Sequence, residues 1–319
     1  MISMIRRLGR ARVSRLGMRM WTLAMLSMVA ASLASGDPAG PQSFPSAEAA
    51  VDALIAAARS NDRDALLKIL GADAEQLVSS GDDVDDATVR ARFVAQYDEV
   101  HTLVADGNDK VTLEVGDDDW PVPIPIVKVG QQWAFDIDAG IDELVYRRIG
   151  RNELGAIDTC RGIVDAQLEY ASEGRDGLPA GVYAQRLVSD EGKHNGLYWR
   201  SQPDERASPV GPFIAEAAGE GYHKGTAGKP QPYHGYIYRL LTAQGPAADG
   251  GARNYLKDGQ LSGGFAVIAY PVEYESSGVE TFMISQDGVL YQKDLGPKTG
   301  DVAAKITAFN PDKTWTKLD

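Results

Sequence analysis

Residues 141–172 read IDELVYRRIGRNELGAIDTCRGIVDAQLEYAS, and the reading of this run decides the fold. It is the longest helical pattern in the chain. Ile157, Cys160, Val164, Leu168 and Ala171 recur at spacings of three and four, so at 3.6 residues per turn they share one face. Glu153, Asp158, Arg161, Asp165 and Glu169 are interspersed, which makes the helix amphipathic and excludes it from lipid. Gly150, Gly155 and Gly162 each weaken a helix by about 1 kcal/mol relative to Ala, and permit close packing or a kink.

Upstream of this rod the pattern starts helical. Pro45-Ser46 opens a helix with Ser46 as its N-cap, and Val51, Leu54, Ile55 and Ala58 form its apolar face. Asn61-Asp62 breaks it and starts a second helix through Leu66, Leu67 and Leu70, which Gly71 stops. The acidic run Gly81–Asp86 reads as a solvated loop before a third helix near residues 87–99. From Lys110 the period changes to two: KVTLEV is a strand, VPIPIVKV is extended because its prolines lack amide donors, and QWAFDI follows a turn. Residues 44–140 are therefore expected to form an N-terminal α+β domain.

Downstream of the rod, residues 201–234 read as mostly irregular. Strands come late, in GYIYRLL, GGFAVIAYPVEY, VETFMIS and VLYQKDL, with Asp287-Gly288 as a two-residue hairpin signal. A short helix near Val302–Ala308 and the segment TWTKL close the chain. The expected fold class is α+β, with a C-terminal domain over 141–319 that packs the long helix on an antiparallel sheet.

The first 34 residues set the compartment. Arg6, Arg7, Arg10, Arg12, Arg15 and Arg19 precede an apolar run from Trp21 to Ala34, with Ser32 and Ala34 before a cleavage point at Ser35. A basic stretch, a short apolar core and small residues at the exit mark a secretory signal peptide over 1–34. The run is too short for the roughly 20 residues of a spanning helix. Residues 35–43 read as a flexible leader. The expectation is an exported protein, periplasmic or extracellular, that does not span a membrane after signal cleavage.

The whole chain has a net charge of −13, and taking six arginines from its 32 basic residues against 45 acidic ones leaves −19. An acidic surface repels phosphate backbones, so nucleic acid is excluded as a partner, and anionic lipid is disfavoured. Cys160 is the only cysteine, so no internal disulfide forms. It reads as a small apolar residue on the helix face.

Candidate chemistry is sparse. His223 and His234 sit in similar settings, Gly-Tyr-His-Lys-Gly and Pro-Tyr-His-Gly-Tyr, and are the candidates for a catalytic base or metal ligand; the alternative is loop histidines bonded to backbone. No HExxH or G-x-S-x-G string occurs. Asp82, Asp83, Asp85 and Asp86 are the candidate metal ligands, for calcium if any cofactor binds, because that ion takes clustered oxygens. Eleven of the 13 tyrosines fall between Tyr170 and Tyr291. Tyr236 and Tyr238 share a strand face and, with Trp199, are the candidate ligand-binding aromatics; the alternative is that they pack the sheet on the helix.

The segments NELGAIDTCRGIVDAQLEY, NGLYW, PYHGYIYRLLTAQGPAADGG, GGFAVIAYPVEYESSGVETFMISQDGVLYQKDLG and GDDDWPVPIPIVKVGQQWAFD carry a resemblance. From about Phe44 to Trp315 the chain closely resembles DUF2950, a family of exported bacterial proteins of unknown function. That resemblance implies no activity. Residues 44–140 are also similar to NTF2-like or cystatin-like α+β domains, and residues 150–296 to the globular heads of type IV pilins and pseudopilins. The charged helix departs from a pilin, whose N-terminal helix is apolar, so the likeness implies a soluble derivative and not a fibre subunit. The resulting expectation is a non-enzymatic binding or assembly module of the cell envelope, contacting an envelope polymer or envelope protein. The alternative is an envelope-acting hydrolase using His223 or His234.

Overall fold

In the computed structural model, which describes residues 40–199, 207–210 and 231–318, the chain begins with helices whose ends are set by capping side chains. Helix α1 spans Ala47–Arg59, and Ser46 Oγ accepts from Ala49 N–H at 3.1 Å. Helix α2 spans Arg63–Leu70, capped by Asp62, whose carboxylate accepts from Ala65 N–H at 3.0 Å. Each such cap contributes about 1 kcal/mol. A 3-10 turn and the single-turn helix α3 (Glu75–Val78) follow, then α4 (Asp83–Glu99).

Strands β1 (His101–Ala105), β2 (Lys110–Val115), β3 (Trp120–Pro121), β4 (Ile126–Val129) and β5 (Gln132–Phe135) form an antiparallel sheet in the order β1-β2-β4-β5, with β3 on the edge of β2. Strand β2 is the KVTLEV strand of the sequence reading, but its partner β1, in register His101↔Val115, lies where that reading had no strand. HTLVA is mostly exposed, so burial imposes no clean alternation on it. Phe44 ties the start of the chain to this sheet through two backbone bonds with Trp133, at 2.7 and 2.8 Å. Apolar residues of α1, α2 and the sheet make one core, around Val51, Ile55, Ile69, Leu113, Ile126 and Phe135.

Helix α5 spans Ile141–Ala171, matching the decisive run. It starts against the first core: Ile141 and Leu144 pack there, and a Cβ at Gly140 would lie 2.2 Å from Pro123 O, so only glycine fits. Its second half covers another sheet. That sheet contains β6 (Tyr236–Leu241), β11 (Ala266–Pro271), β12 (Glu280–Ser285), β13 (Leu290–Asp294) and β14 (Thr316–Lys317), in the order β14-β13-β12-β11-β6 and all antiparallel. Between β6 and β11 lie two small two-stranded sheets, β7 (Ala243–Gln244) with β8 (Arg253–Asn254) and β9 (Leu256–Lys257) with β10 (Gln260–Leu261).

All six residues of β11 are buried, because both faces are covered. Helix α5 packs on one face. On the other, α6 (Thr299–Lys305) packs on β11, and Arg239 donates to the carbonyls of Ala303 and Ile306 at 2.8 and 2.6 Å. The hairpin at Asp287-Gly288 is present but longer than two residues: the register closes at Ile284↔Leu290, with Gly288 at φ +74°.

Two expectations are corrected here. The acidic run is not a solvated loop. Asp82 caps α4, accepting from Val84 and Asp85 N–H at 3.2 Å each, and Asp82, Asp85 and Asp86 are all buried. Acids at a helix N-terminus meet the positive end of the helix dipole, which a loop does not offer. The buried stripe of α5 also turns away from Leu168, which is 47% exposed, toward Gln167, which is fully buried. Gln167 tolerates burial because its amide both donates to and accepts from the Ala184 backbone, at 2.8 Å each. Cys160 lies on the stripe as expected, free and fully buried, with its thiol pushed up to about 12 by desolvation.

Candidate functional site

Helix α4 is 17 residues long, yet Val94 is its only buried apolar residue. Its half-buried Val89 and Phe93 face space that the first core does not fill. The result is a cavity of about 420 Å³ between α1, α2, α4 and the first sheet, closed at one end by the first half of α5. This lies within the usual range of small-molecule sites. Leu54, Leu66, Leu70, Val122, Ile124 and Phe135 form the apolar part of its wall.

The end contributed by α4 and α5 is different. Arg90, Arg92, Arg147, Arg148 and Arg151 line it, with Asp86 the single acid among the lining residues. Arg147, Arg148 and Arg151 reach it together because spacings of three and four bring side chains to adjacent positions on a helix. Arg148 is 7% exposed and donates to the carbonyls of Gln76, Leu77 (3.3 Å) and Ser276 (3.0 Å), and to Ser276 Oγ at 3.1 Å. Burial holds its pKa below the usual guanidinium value, while Asp86 and Asp85 pull it back up. Asp86 accepts from Ser80 N–H at 2.9 Å, but desolvation dominates and raises its carboxyl above the ordinary value.

A smaller cavity of about 160 Å³ adjoins the first. Asp85, Thr88, Arg92, Arg151, Asn152 and His234 line it, so Arg92 and Arg151 belong to both walls. Asn152 is anchored by donating to Ser277 O at 3.0 Å. Gly235 donates its N–H to Asp82 at 2.9 Å; its φ of +74° and the 2.6 Å from a would-be Cβ to Asn152 Nδ2 both demand glycine. His234 itself has φ +49°, a conformation a non-glycine residue adopts only where its surroundings enforce it.

The sequence candidates fall in separate places. His234 lines the small cavity, with its ring 4.1 Å from that of Tyr233. His223 lies outside the described residues. Tyr236 is fully buried, with its hydroxyl donating to Glu280 O at 2.9 Å, and Tyr238 is half-buried beneath α5, its hydroxyl pushed well up by desolvation. Trp199 is 7% exposed, 4.7 Å from the His194 ring and 5.2 Å from the Arg175 guanidinium. These aromatics are packed within the second half of the chain, away from both cavities. Asp82, Asp85 and Asp86 face α4's own N-terminus, Ser80, Gly235 and Arg151, while Asp83 is exposed. Among the described residues no group of three or more His, Cys, Asp or Glu is placed to hold a metal ion.

The arginines are the residues that sequence reasoning missed. The signal was present as Arg147-Arg148-x-x-Arg151 at helical spacing, with Arg90 and Arg92 on the preceding helix. A net charge averaged over the chain conceals such a local reversal of sign.

No helix among the described residues is long and apolar enough to cross a membrane. No curated protein and no solved structure matches the chain. The family model described as "Protein of unknown function (DUF2950)" matches residues 41–318, nearly the whole of the described region, and the chain belongs to that family.

Proposed function

We propose that this is an exported, non-enzymatic binding module of the cell envelope, and that the larger cavity is its ligand site. The observation that carries the reading is an apolar space of about 420 Å³ beside a helix whose inward side is left short of partners. A concave, mostly apolar space with a few charged groups at one end is the usual form of a small-molecule site. The two hydrophobic cores are the units we propose as domains, 44–140 and 141–319. The arginine-rich segment 1–34, which lies outside the described residues, supports export to the periplasm or beyond. The acidic surface supports an envelope polymer or protein as a further partner and disfavours nucleic acid.

Binding of the neutral apolar dye Nile red tests the reading. The protein should enhance its fluorescence saturably at one site. Val89→Trp, which projects volume into the cavity from a half-buried position, should abolish that signal while leaving the circular dichroism spectrum intact. Undiminished dye binding in a folded Val89→Trp protein would remove the cavity as the site.

One observation favours a second reading, an envelope-acting hydrolase. His234 lines a polar cavity together with Asp85 and Asn152, and its backbone is held in an unusual conformation. Loss of ester or amide hydrolysis in His234→Gln, with dye binding retained, would favour that reading over the module.

A further inference from the structure

The chemistry of the cavity wall narrows the ligand, on the premise that the cavity is a ligand site. The five arginines are not equivalent. Arg148 is committed to three backbone carbonyls. Arg147 is paired with Glu143 at 2.5 Å and lies 5.3 Å over Trp120. Arg90 is held by Asn61 Oδ1 at 2.6 Å and Val78 O at 2.8 Å. Arg151 reaches Asp85 only at 3.5 Å and is 43% exposed. Arg92 makes no hydrogen bond or ion pair among the described residues and is exposed. The two least committed arginines are thus the two that line both cavities.

We infer that Arg92 and Arg151 bind the carboxylate of an amphipathic ligand whose apolar body fills the larger cavity. A guanidinium presents a planar fork of donors that fits a carboxylate, and a head held there reaches Thr88, Asn152 and His234 in the adjoining polar space. Asp85 stands beside Arg151. Its carboxylate repels additional negative charge, which selects a monoanionic head over a phosphate dianion. The apolar wall supplies affinity and the arginines supply the choice of head.

Calorimetric titration with decanoate, decanol and decyl phosphate, on the mature full-length protein, tests this. Decanoate should bind about tenfold more tightly than decanol, the worth of one charge-assisted contact. Arg92→Gln, at an exposed position whose side chain has no hydrogen bond or ion pair among the described residues to lose, should erase that preference by weakening decanoate binding. Decyl phosphate should bind no more tightly than decanoate. Equal affinity for decanoate and decanol, an undiminished preference in Arg92→Gln, or a clear advantage for the phosphate would each overturn the carboxylate assignment while leaving the cavity as an apolar site. Failure of all three ligands and of Nile red would instead remove the cavity reading itself, and this inference with it.

Discussion

Asp86 shows how one residue can be electrostatically costly where it is most useful. Its carboxylate holds the N–H of Ser80 and faces Arg148 and Arg90, yet burial outweighs these and favours the protonated form. The folded state therefore keeps this proton to higher pH than the unfolded chain does. Its contribution to stability is greatest below the ordinary aspartate value of about 3.9 and declines as pH rises through the raised folded value. In Asp86→Asn that decline is absent. The stability of the wild type relative to the variant, from urea unfolding at a series of pH values, should fall as pH rises from about 4 toward neutrality. A difference that grows with pH would mean that Arg148 and Arg90 dominate over desolvation. Cys160 is the plain counterpart: an apolar stripe predicts a buried thiol, and a buried thiol with a pKa near 12 is inert.

At the scale of elements, the first half of α5 behaves as a clamp. Arg148 draws in the end of α3 and the turn at Ser276, Asn152 holds Ser277, and Glu153 accepts from the N–H groups of Val279 and Glu280 at 3.0 Å each. Arg148→Ala would strip the carbonyls of Gln76, Leu77 and Ser276 of their donor and leave Asp86 with less compensation. It should cost about 3 kcal/mol in chemical unfolding. A loss within about 0.5 kcal/mol would show that water replaces the guanidinium without penalty. Helices α1, α2 and α5 and the long late strands were legible because each has a period: the ends of α5 and the caps at Ser46 and Asp62 follow from residue type and spacing. Strand β1 was not, because HTLVA is almost wholly exposed and burial left no pattern on it. Gln167 displaced Leu168 from the buried stripe through a partner, Ala184, that spacing along the helix cannot name.

The whole molecule joins two hydrophobic cores through a polar seam, in which Asp82 meets Gly235, Arg148 meets Ser276 and Asn152 meets Ser277. Breaking either core exposes the buried half of each pair, so the cores should lose structure together. Tryptophan fluorescence, dominated by Trp120, Trp133, Trp199 and Trp315, and far-ultraviolet circular dichroism should give superimposable urea transitions. Two separated transitions would show that the seam contributes little to cooperativity.

The amino-acid sequence by itself determined the α+β class, the long amphipathic rod, the long late strands and the burial of Cys160. All of these rest on local periodicity and capping, which a linear string carries. Only the tertiary structure decided that three of the four clustered aspartates would cap and brace a helix, that Tyr236 would be core, and that arginines from α4 and α5 would converge on one apolar space. Those outcomes depend on which distant residues meet each side chain and on whether burial is compensated there, and neither is a property of spacing along one element.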